Sequence, residues 1–448
     1  MKTRFIFPVL FLIFFSFGSF TSCKEPESTG PENRTDSLTL KVKETDLTSA
    51  TLYLHTAGIT YPASLTLTRN SQPVQTFSLH QPDTTLIDTA LTPSTSYTWQ
   101  TTWKKTETTF LKGEPVTDRT MDTTSHEFTW KLDTLGCSGS NLLDVAIVND
   151  TCVWVVGDMT TAPRGGVTLY NAAMYNGKIW KKFAFSLPLW PSGSRPQIIR
   201  CIWFDGENLW VFSEIGGYAK IKPDGKVLKT GYCLERRGTP QKMWGNQKNQ
   251  FYLAGSDGSM TWYDGSAFHL IETGTQVDFL DIWGTPSGEV WACGYVSRTG
   301  IGVLVRKNGA QFEVVYETGK PSVFNGYDWI TSAIWSPDNK NIWVNSGARI
   351  IVQPIDQIQN VTIFPRNAVY GFFQYQINGM RGTGINDVFF AGVLGVLWHY
   401  NGSTFKKYPI ANMNTTWLTS IAVSKHQVFA VGYGFGEGQG SLIWSLKR

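Results

Sequence analysis

The stretch AGSDGSMTWYDGSAF, Ala254 to Phe268, is echoed by AGVLGVLWHYNGSTF, Ala391 to Phe405. The two align without a gap, 137 residues apart, and share seven residues. Such an echo marks an internal repeat, and repeats decide an architecture before any local reading does.

The echo belongs to a longer series. An aromatic residue, two residues, then Gly or Ser occurs at Trp154/Gly157, Trp210/Ser213, Tyr252/Gly255, Trp291/Gly294, Trp343/Ser346, Phe389/Gly392 and Phe429/Gly432. These seven occurrences stand 39 to 56 residues apart. Upstream of five of them a second marker recurs: CIWFD, KMWGN, DIWGT, AIWSP and GMRGT, beginning at Cys201, Lys242, Asp281, Ala333 and Gly379. Downstream come an apolar strand, a polar turn such as YDGSAF or YNGSTF, and another short strand. Each unit therefore reads as four short strands. One four-stranded sheet cannot bury both faces, whereas sheets stacked about an axis can, with the aromatics wedged between neighbours. The expected fold is all-β, a seven-bladed β-propeller, and the 137-residue echo is a step of three blades. Gly255 and Gly392 are expected to permit a tight turn after their strands.

Closure is legible too. The last unit, LTSIAVS, QVFAVGYG and GSLIWSLKR, lacks a fourth strand. EFTWKLDTL, Glu127 to Leu135, precedes the first unit without a partner. It is expected to complete the last blade and so remove free sheet edges.

The repeats NLWVFS and NIWVNS resemble those of sensor-type periplasmic propellers and of photosystem assembly factors. The pairs typical of WD40 and kelch repeats are absent. GSDGSMTW, Gly255 to Trp262, approaches the Asp-box of sialidases, but Ser256 and Asp257 are adjacent where that motif separates them.

Before the propeller, residues 37–124 alternate in the manner of about seven short strands, from LTLKVKE to DRTMDTT. LTPSTSY, Leu91 to Tyr97, resembles the tyrosine corner of fibronectin type III domains, in which the Tyr hydroxyl bonds back to the chain. The Trp usual in the second strand is replaced by Tyr53 or Leu54, so a generic immunoglobulin-like sandwich stays open. The domain expectation is a signal at 1–22, a tether at 23–36, the sandwich at 37–124 and the propeller at 125–448.

Lys2 and Arg4 precede the apolar run FIFPVLFLIFFSFGSF, which is short for a membrane span. FTSC, Phe20 to Cys23, resembles a bacterial lipoprotein signal, with Phe20 in place of the usual Leu. The resemblance implies acylation of Cys23 and anchoring to the outer membrane. KEPE, Lys24 to Glu27, resembles a surface-export signal, so the cell surface is expected and the periplasm is the alternative. An ordinary secretory signal cut near Ser22 is the rival reading. DSL, DTT, DTA, DTT and DTL, from Asp36 to Asp133, resemble bacterial O-glycosylation sites, and read equally as Thr-rich strands and turns. The remaining cysteines, Cys137, Cys152, Cys201, Cys233 and Cys293, match no zinc pattern. They read as free thiols, with Cys201–Cys233 or Cys137–Cys152 as the alternative pairings.

The net charge of +4 and the lack of a basic run give no footing for nucleic acid. The six histidines show no ligand spacing, and no P-loop or nucleophile elbow occurs, so no metal, cofactor or catalytic residue is expected. The loop acids Asp158, Glu214, Asp257, Asp278, Asp328 and Glu437 would need to converge for a propeller glycosidase.

Tryptophan is the informative residue. Of eighteen, eight belong to the two marker rows. Trp190, Trp329 and Trp417 fall in connections between blades, together with Tyr327, Tyr370, Arg195 and Arg366. Such a face suits sugar stacking or a protein partner. The expectation is a lipid-anchored envelope binding protein for a glycan or protein. The alternatives are a carbohydrate-active enzyme with an axial site, favoured by three or more converging acids, and a purely structural assembly factor. Oligomeric state is not legible.

Overall fold

The computed structural model describes residues 35–161, 169–296, 298–320, 331–347, 349–356, 362–364, 375–410, 413–435 and 440–448. The chain divides into two compact units, one made of most residues up to 118 and one of residues 119–448 with two short stretches, 45–50 and 89–96.

The first unit is built from β1 (Ser37–Thr45), β2 (Ser49–Ala57), β3 (Ala63–Arg69), β4 (Gln72–Leu79), β5 (Asp83–Thr89), β6 (Ser96–Lys104), β7 (Phe110–Lys112) and β8 (Val116–Arg119). One sheet has the order β1-β2-β5, the other β4-β3-β6-β7 with β8 also on β6. Alternation puts one face of each strand inward: in β2, Ala50, Leu52, Leu54 and Thr56 are buried. The Trp99 indole N–H donates to the buried Asp88 carboxylate at 2.7 Å, and Arg69 pairs with the same carboxylate at 3.0 Å. At the corner, Thr120 ties the chain: its hydroxyl donates to the Thr92 carbonyl at 2.6 Å and accepts the Thr95 N–H at 3.0 Å. The Tyr97 ring lies 5.9 Å from Trp99. The expected last strand, DRTMDTT, is found shifted toward the N-terminus, as β8 (Val116–Arg119) paired with β6, and no strand covers residues 120–124.

The second unit contains seven four-stranded antiparallel sheets among the described residues. Their first strands are Asn141–Asn149, Ile199–Phe204, Pro240–Gln247, Asp278–Gly284, Thr331–Trp335, Ile377–Gly384 and Thr416–Val423, and we number the blades 1 to 7 in that order. Each first strand touches the first strands of the blades before and after it, and blade 7 touches blade 1. The sheets therefore close into a ring, and the fold is a seven-bladed β-propeller. The fourth strand of blade 7 is β9 (Thr129–Leu135), which pairs with Ser441–Lys447 in the register Leu132↔Trp444. Closure by the segment before blade 1 is as the sequence implies.

The core follows the aromatic marker row. Trp154, Trp210, Trp291 and Trp343, all on second strands, are at most 2% exposed. Burying one such side chain contributes about 4–6 kcal/mol before entropy is counted. The glycines of the same marker do more than the expectation. Gly255 and Gly392 end their strands, paired with Pro240 and Ile377, and their N–H groups close the following turns onto the Ser259 and Val396 carbonyls at 2.9 Å. A Cβ on them would stand 2.6 Å from the Thr239 carbonyl oxygen and 2.0 Å from that of Gln376. Gly157, Gly294 and Gly432 show the same approach. The position demands a missing side chain as well as a turn.

Candidate functional site

The reason for that approach is a bulge repeated in every first strand. Register slips between Leu142 and Asp144, Ile199 and Cys201, Pro240 and Lys242, Phe279 and Asp281, Thr331 and Ile334, Ile377 and Gly379, and Leu418 and Ser420. A bulge re-aims the residues beside it. Here it builds the axial channel.

At the start of the first strands the bulge residues Leu143, Arg200, Gln241, Leu280, Ser332, Asn378 and Thr419 line a cavity of about 230 Å³ with Lys242 and Tyr433. This mouth lies on the side of the blade-to-blade connections, and among the described residues no carboxylate lines it. Of its two cations, Lys242 is paired with Asp144, and Arg200 has its Nε buried without a hydrogen-bond partner among the described residues. Burial pushes the Tyr433 hydroxyl up, and the Arg200 charge opposes that shift.

One residue deeper the channel narrows to two ion pairs. Asp144 of blade 1 meets Lys242 of blade 3 at 2.5 Å, and Ser420 donates to the same carboxylate oxygen at 2.7 Å. Asp281 of blade 4 meets Arg381 of blade 6 at 2.7 and 3.0 Å. Each Asp also accepts the first-strand amide of the next blade: Ile202 N–H to Asp144 at 3.1 Å, Ile334 N–H to Asp281 at 3.0 Å. Both pairs thus follow one rule, amide from the next blade and cation from two blades on. Burial disfavours the charge on Arg381, but Asp281 outweighs it and holds the guanidinium above its usual value.

Beyond the waist, on the side of the turns between first and second strands, lies a chamber of about 320 Å³. The second marker row was expected to be wedged between blades. It is, and it also walls this chamber. Trp203, Trp244 and Trp335 crowd Gly245, Gly284 and Gly382 of the following blades, where a Cβ would stand 2.4 to 2.8 Å from the rings.

The predicted site residues separate into clusters. Trp190 is 62% exposed and packs against Tyr232 with centroids 6.2 Å apart. Arg195, exposed on the strand Ser194–Pro196, belongs to the same hairpin. Trp417, 38% exposed, starts blade 7 and meets Phe435 at 5.3 Å and Tyr433 at 6.2 Å. Since Tyr433 lines the axial mouth, the Trp417 cluster borders it. Trp329, Tyr327, Arg366 and Tyr370 lie outside the described residues, as does Cys23. Arg236 is occupied by the Gly238 carbonyl of its own loop and by the Ile215 carbonyl of the turn between the second and third strands of blade 2.

The described loop acids fall into two pairs, Asp158 with Glu214 and Asp257 with Asp278. Asp158 accepts the Asn141 N–H at 2.9 Å; burial raises its carboxyl, and Glu214 at the equivalent place on blade 2 adds to that. Asp278 accepts the Asp257 N–H at 3.1 Å. Asp328 and Glu437 lie outside the described residues. No group of three or more His, Cys, Asp or Glu able to hold a metal occurs among the described residues. The five described cysteines are unpaired.

Two solved structures are similar to this chain, the first of them in fold. YCF48 bound to a D1 peptide superposes with a TM-score of 0.51 at 13% identity, over 71% of this chain and 95% of that one. The extracellular domain of BT4673 from B. thetaiotaomicron gives 0.48 at 12% identity, over 71% of this chain and 40% of that one. The likeness is one of fold. No family model matches the sequence, and no curated protein does.

One further cluster has no motif to announce it. His399 on the third strand of blade 6 is fully buried and stacks on Phe389, centroids 4.2 Å apart. Its Nε2 lies 3.0 Å from Asp387, and its Nδ1 lies 2.8 Å from Nδ1 of His126. His126 Nε2 stands 2.9 Å from the Thr404 hydroxyl. Two neutral imidazoles satisfy this chain: Thr404 donates to His126, His126 to His399, and His399 to Asp387. Arg448 and Thr383 also bond Asp387.

Proposed function

We propose that the protein is a non-catalytic recognition protein of the cell envelope, held to the outer membrane by a lipid on Cys23. On this reading 1–22 is a signal, 23–36 a tether, 37–124 a fibronectin type III-like spacer and 125–448 the binding propeller. The surface is the favoured location, since KEPE follows the acylated residue.

The partner is a protein segment that reaches the connection-side mouth. The observation that carries this is the composition of the mouth: Arg200, whose Nε has no partner among the described residues, stands among polar and apolar residues and a Lys242 already paired with Asp144, beside the Trp417–Tyr433–Phe435 cluster. An extended peptide offers both features such a place needs, a carbonyl or carboxylate for the guanidinium and an apolar side chain for the aromatics. That a propeller of the same fold has been solved with a peptide makes this use of the fold reasonable. Trp190 and Arg195 would extend the contact along the same side.

A carbohydrate-active enzyme has one observation in its favour, the raised carboxyl of Asp158 with Glu214 nearby. The channel speaks against it, because its waist carboxylates, Asp144 and Asp281, are each neutralised by a cation.

A photo-crosslinking side chain placed at Phe435, which is 60% exposed, tests the reading in intact cells. One at Ile179, 65% exposed on the turn between outer strands of blade 1, is the control. A discrete protein adduct from position 435 alone supports the mouth. Equal labelling from both, or none, overturns it.

A further inference from the structure

The turn-side chamber is a second site with different chemistry. We propose that it binds a neutral sugar, one pyranose ring lying against its tryptophans with hydroxyls turned to the waist.

Four consecutive blades supply the wall: Trp203, Trp244, Trp283 and Trp335. Neighbouring indoles stand 6.3 Å (Trp244–Trp283) and 6.4 Å (Trp283–Trp335) apart, tilted rather than stacked flat on one another. At the equivalent position blades 1 and 7 carry Ala146 and Ala422. The aromatic wall therefore faces empty volume, and the chamber of about 320 Å³ is that volume. Sites for small molecules span about 300–1,000 Å³, so this one fits a mono- or disaccharide and little more.

The polar end selects the class. Asp144, Lys242, Ser420 and Arg381 line the chamber, with Asp281 behind Arg381. The charges sum to zero and are already paired, so an ionic ligand gains no free counter-charge. A wholly apolar ligand would strip solvent from both pairs without replacing it, which is costly. A polyol replaces that solvent with hydroxyls, while its C–H faces lie on indoles. Trp283 lines the chamber, and its Nε1–H is buried without a partner among the described residues. The Arg381 guanidinium covers the same ring at 5.0 Å, which fixes it in place.

Calorimetric titration of the full protein tests this. The probes are glucose, galactose, N-acetylglucosamine, cellobiose and maltose, at millimolar concentration. At least one is expected to saturate. Ala422→Trp sets an indole where the empty volume lies and is expected to abolish that binding. Trp283→Phe keeps a ring but removes the donor, and should weaken it about tenfold. Trp417→Ala, at the other mouth, should leave it unchanged, which separates this site from the protein-binding face. Glucuronate and glucosamine should bind at least about tenfold more weakly than glucose or its best relative. If Ala422→Trp fails to fold, Trp283→Phe decides alone. Failure of every probe to bind overturns the proposal, as does binding untouched by these substitutions or equal binding of the charged sugars.

Discussion

The Arg381 guanidinium of blade 6 reaches across the axis to both carboxylate oxygens of Asp281 in blade 4, at 2.7 and 3.0 Å. Asp281 is fully buried, so the pair is not a surface contact. Removing one partner leaves a buried charge, which costs about 3–5 kcal/mol. Arg381→Met should therefore lower the unfolding free energy by that amount, read as a lower urea midpoint. The double variant Asp281→Asn, Arg381→Met should recover part of the loss, since it leaves no charge to desolvate. A double variant no more stable than the single one would show that the pair is not what holds these blades.

The in-ladder glycines give a second outcome. Gly392→Ala would press a Cβ to 2.0 Å from the Gln376 carbonyl, backbone against backbone. Gly139→Ala meets no atom within 4 Å but pays for its φ of +88°. The first should destabilise by more than about 3 kcal/mol and the second by about 1 kcal/mol. Thermal melts of the two variants read the difference directly.

Ring closure can be removed by deleting 129–135. Ser441–Lys447 would then become an unpaired edge in a three-stranded sheet. The deletion is expected to convert the protein to oligomers, seen by light scattering, because bare edges recruit other strands. A monomeric, normally melting deletion variant would contradict the pairing of Leu132 with Trp444.

The His126–His399–Asp387 chain predicts acid sensitivity. Burial depresses the His399 pKa below its ordinary 6.5, although Asp387 opposes this, and burial followed by repulsion from His399 depresses His126. Below 6.5 the unfolded chain then binds more protons than the folded one, so stability falls as the pH drops through that value. Protonation would also set N–H against N–H between the two rings. Burial works to raise Asp387, but its bonds from His399, Arg448 and Thr383 hold it at about 2, adding a second loss below 3.8. A melting series from pH 7.5 to pH 5 should fall for the natural protein and flatten for His399→Gln.

The proposed lipid anchor makes its own prediction at Cys23. Cys23→Ser should move the protein from the membrane fraction to the soluble one, with its melting unchanged. Retention on the membrane would remove the lipid from the account.

The ring was legible because the aromatic/Gly spacing copies a backbone register. Each marker Gly stands opposite the first-strand bulge, so the pattern survives wherever the bulge does. The closing strand showed itself by having no partner nearby. The bulge itself leaves no mark of its own in CIWFD or DIWGT. Which residues it turns to the axis, Asp144 and Lys242 among them, was therefore hidden. Trp203 and Trp244 read as inter-blade wedges because an inner strand buries both faces, and hydrophobicity cannot say that one of them also lines a chamber. His126 and His399 are separated by 273 residues and meet only once the ring has closed.

The central claim is that the connection-side mouth recognises rather than reacts. The most direct measurement is a combined peptide and glycan array probed with the natural protein, Arg200→Ala, Trp417→Ala and Asp158→Asn. The account predicts peptide binding that both Arg200→Ala and Trp417→Ala weaken by about tenfold or more, with Asp158→Asn unchanged and no spot consumed. Glycan spots cleaved by the natural protein and left intact by Asp158→Asn would contradict it.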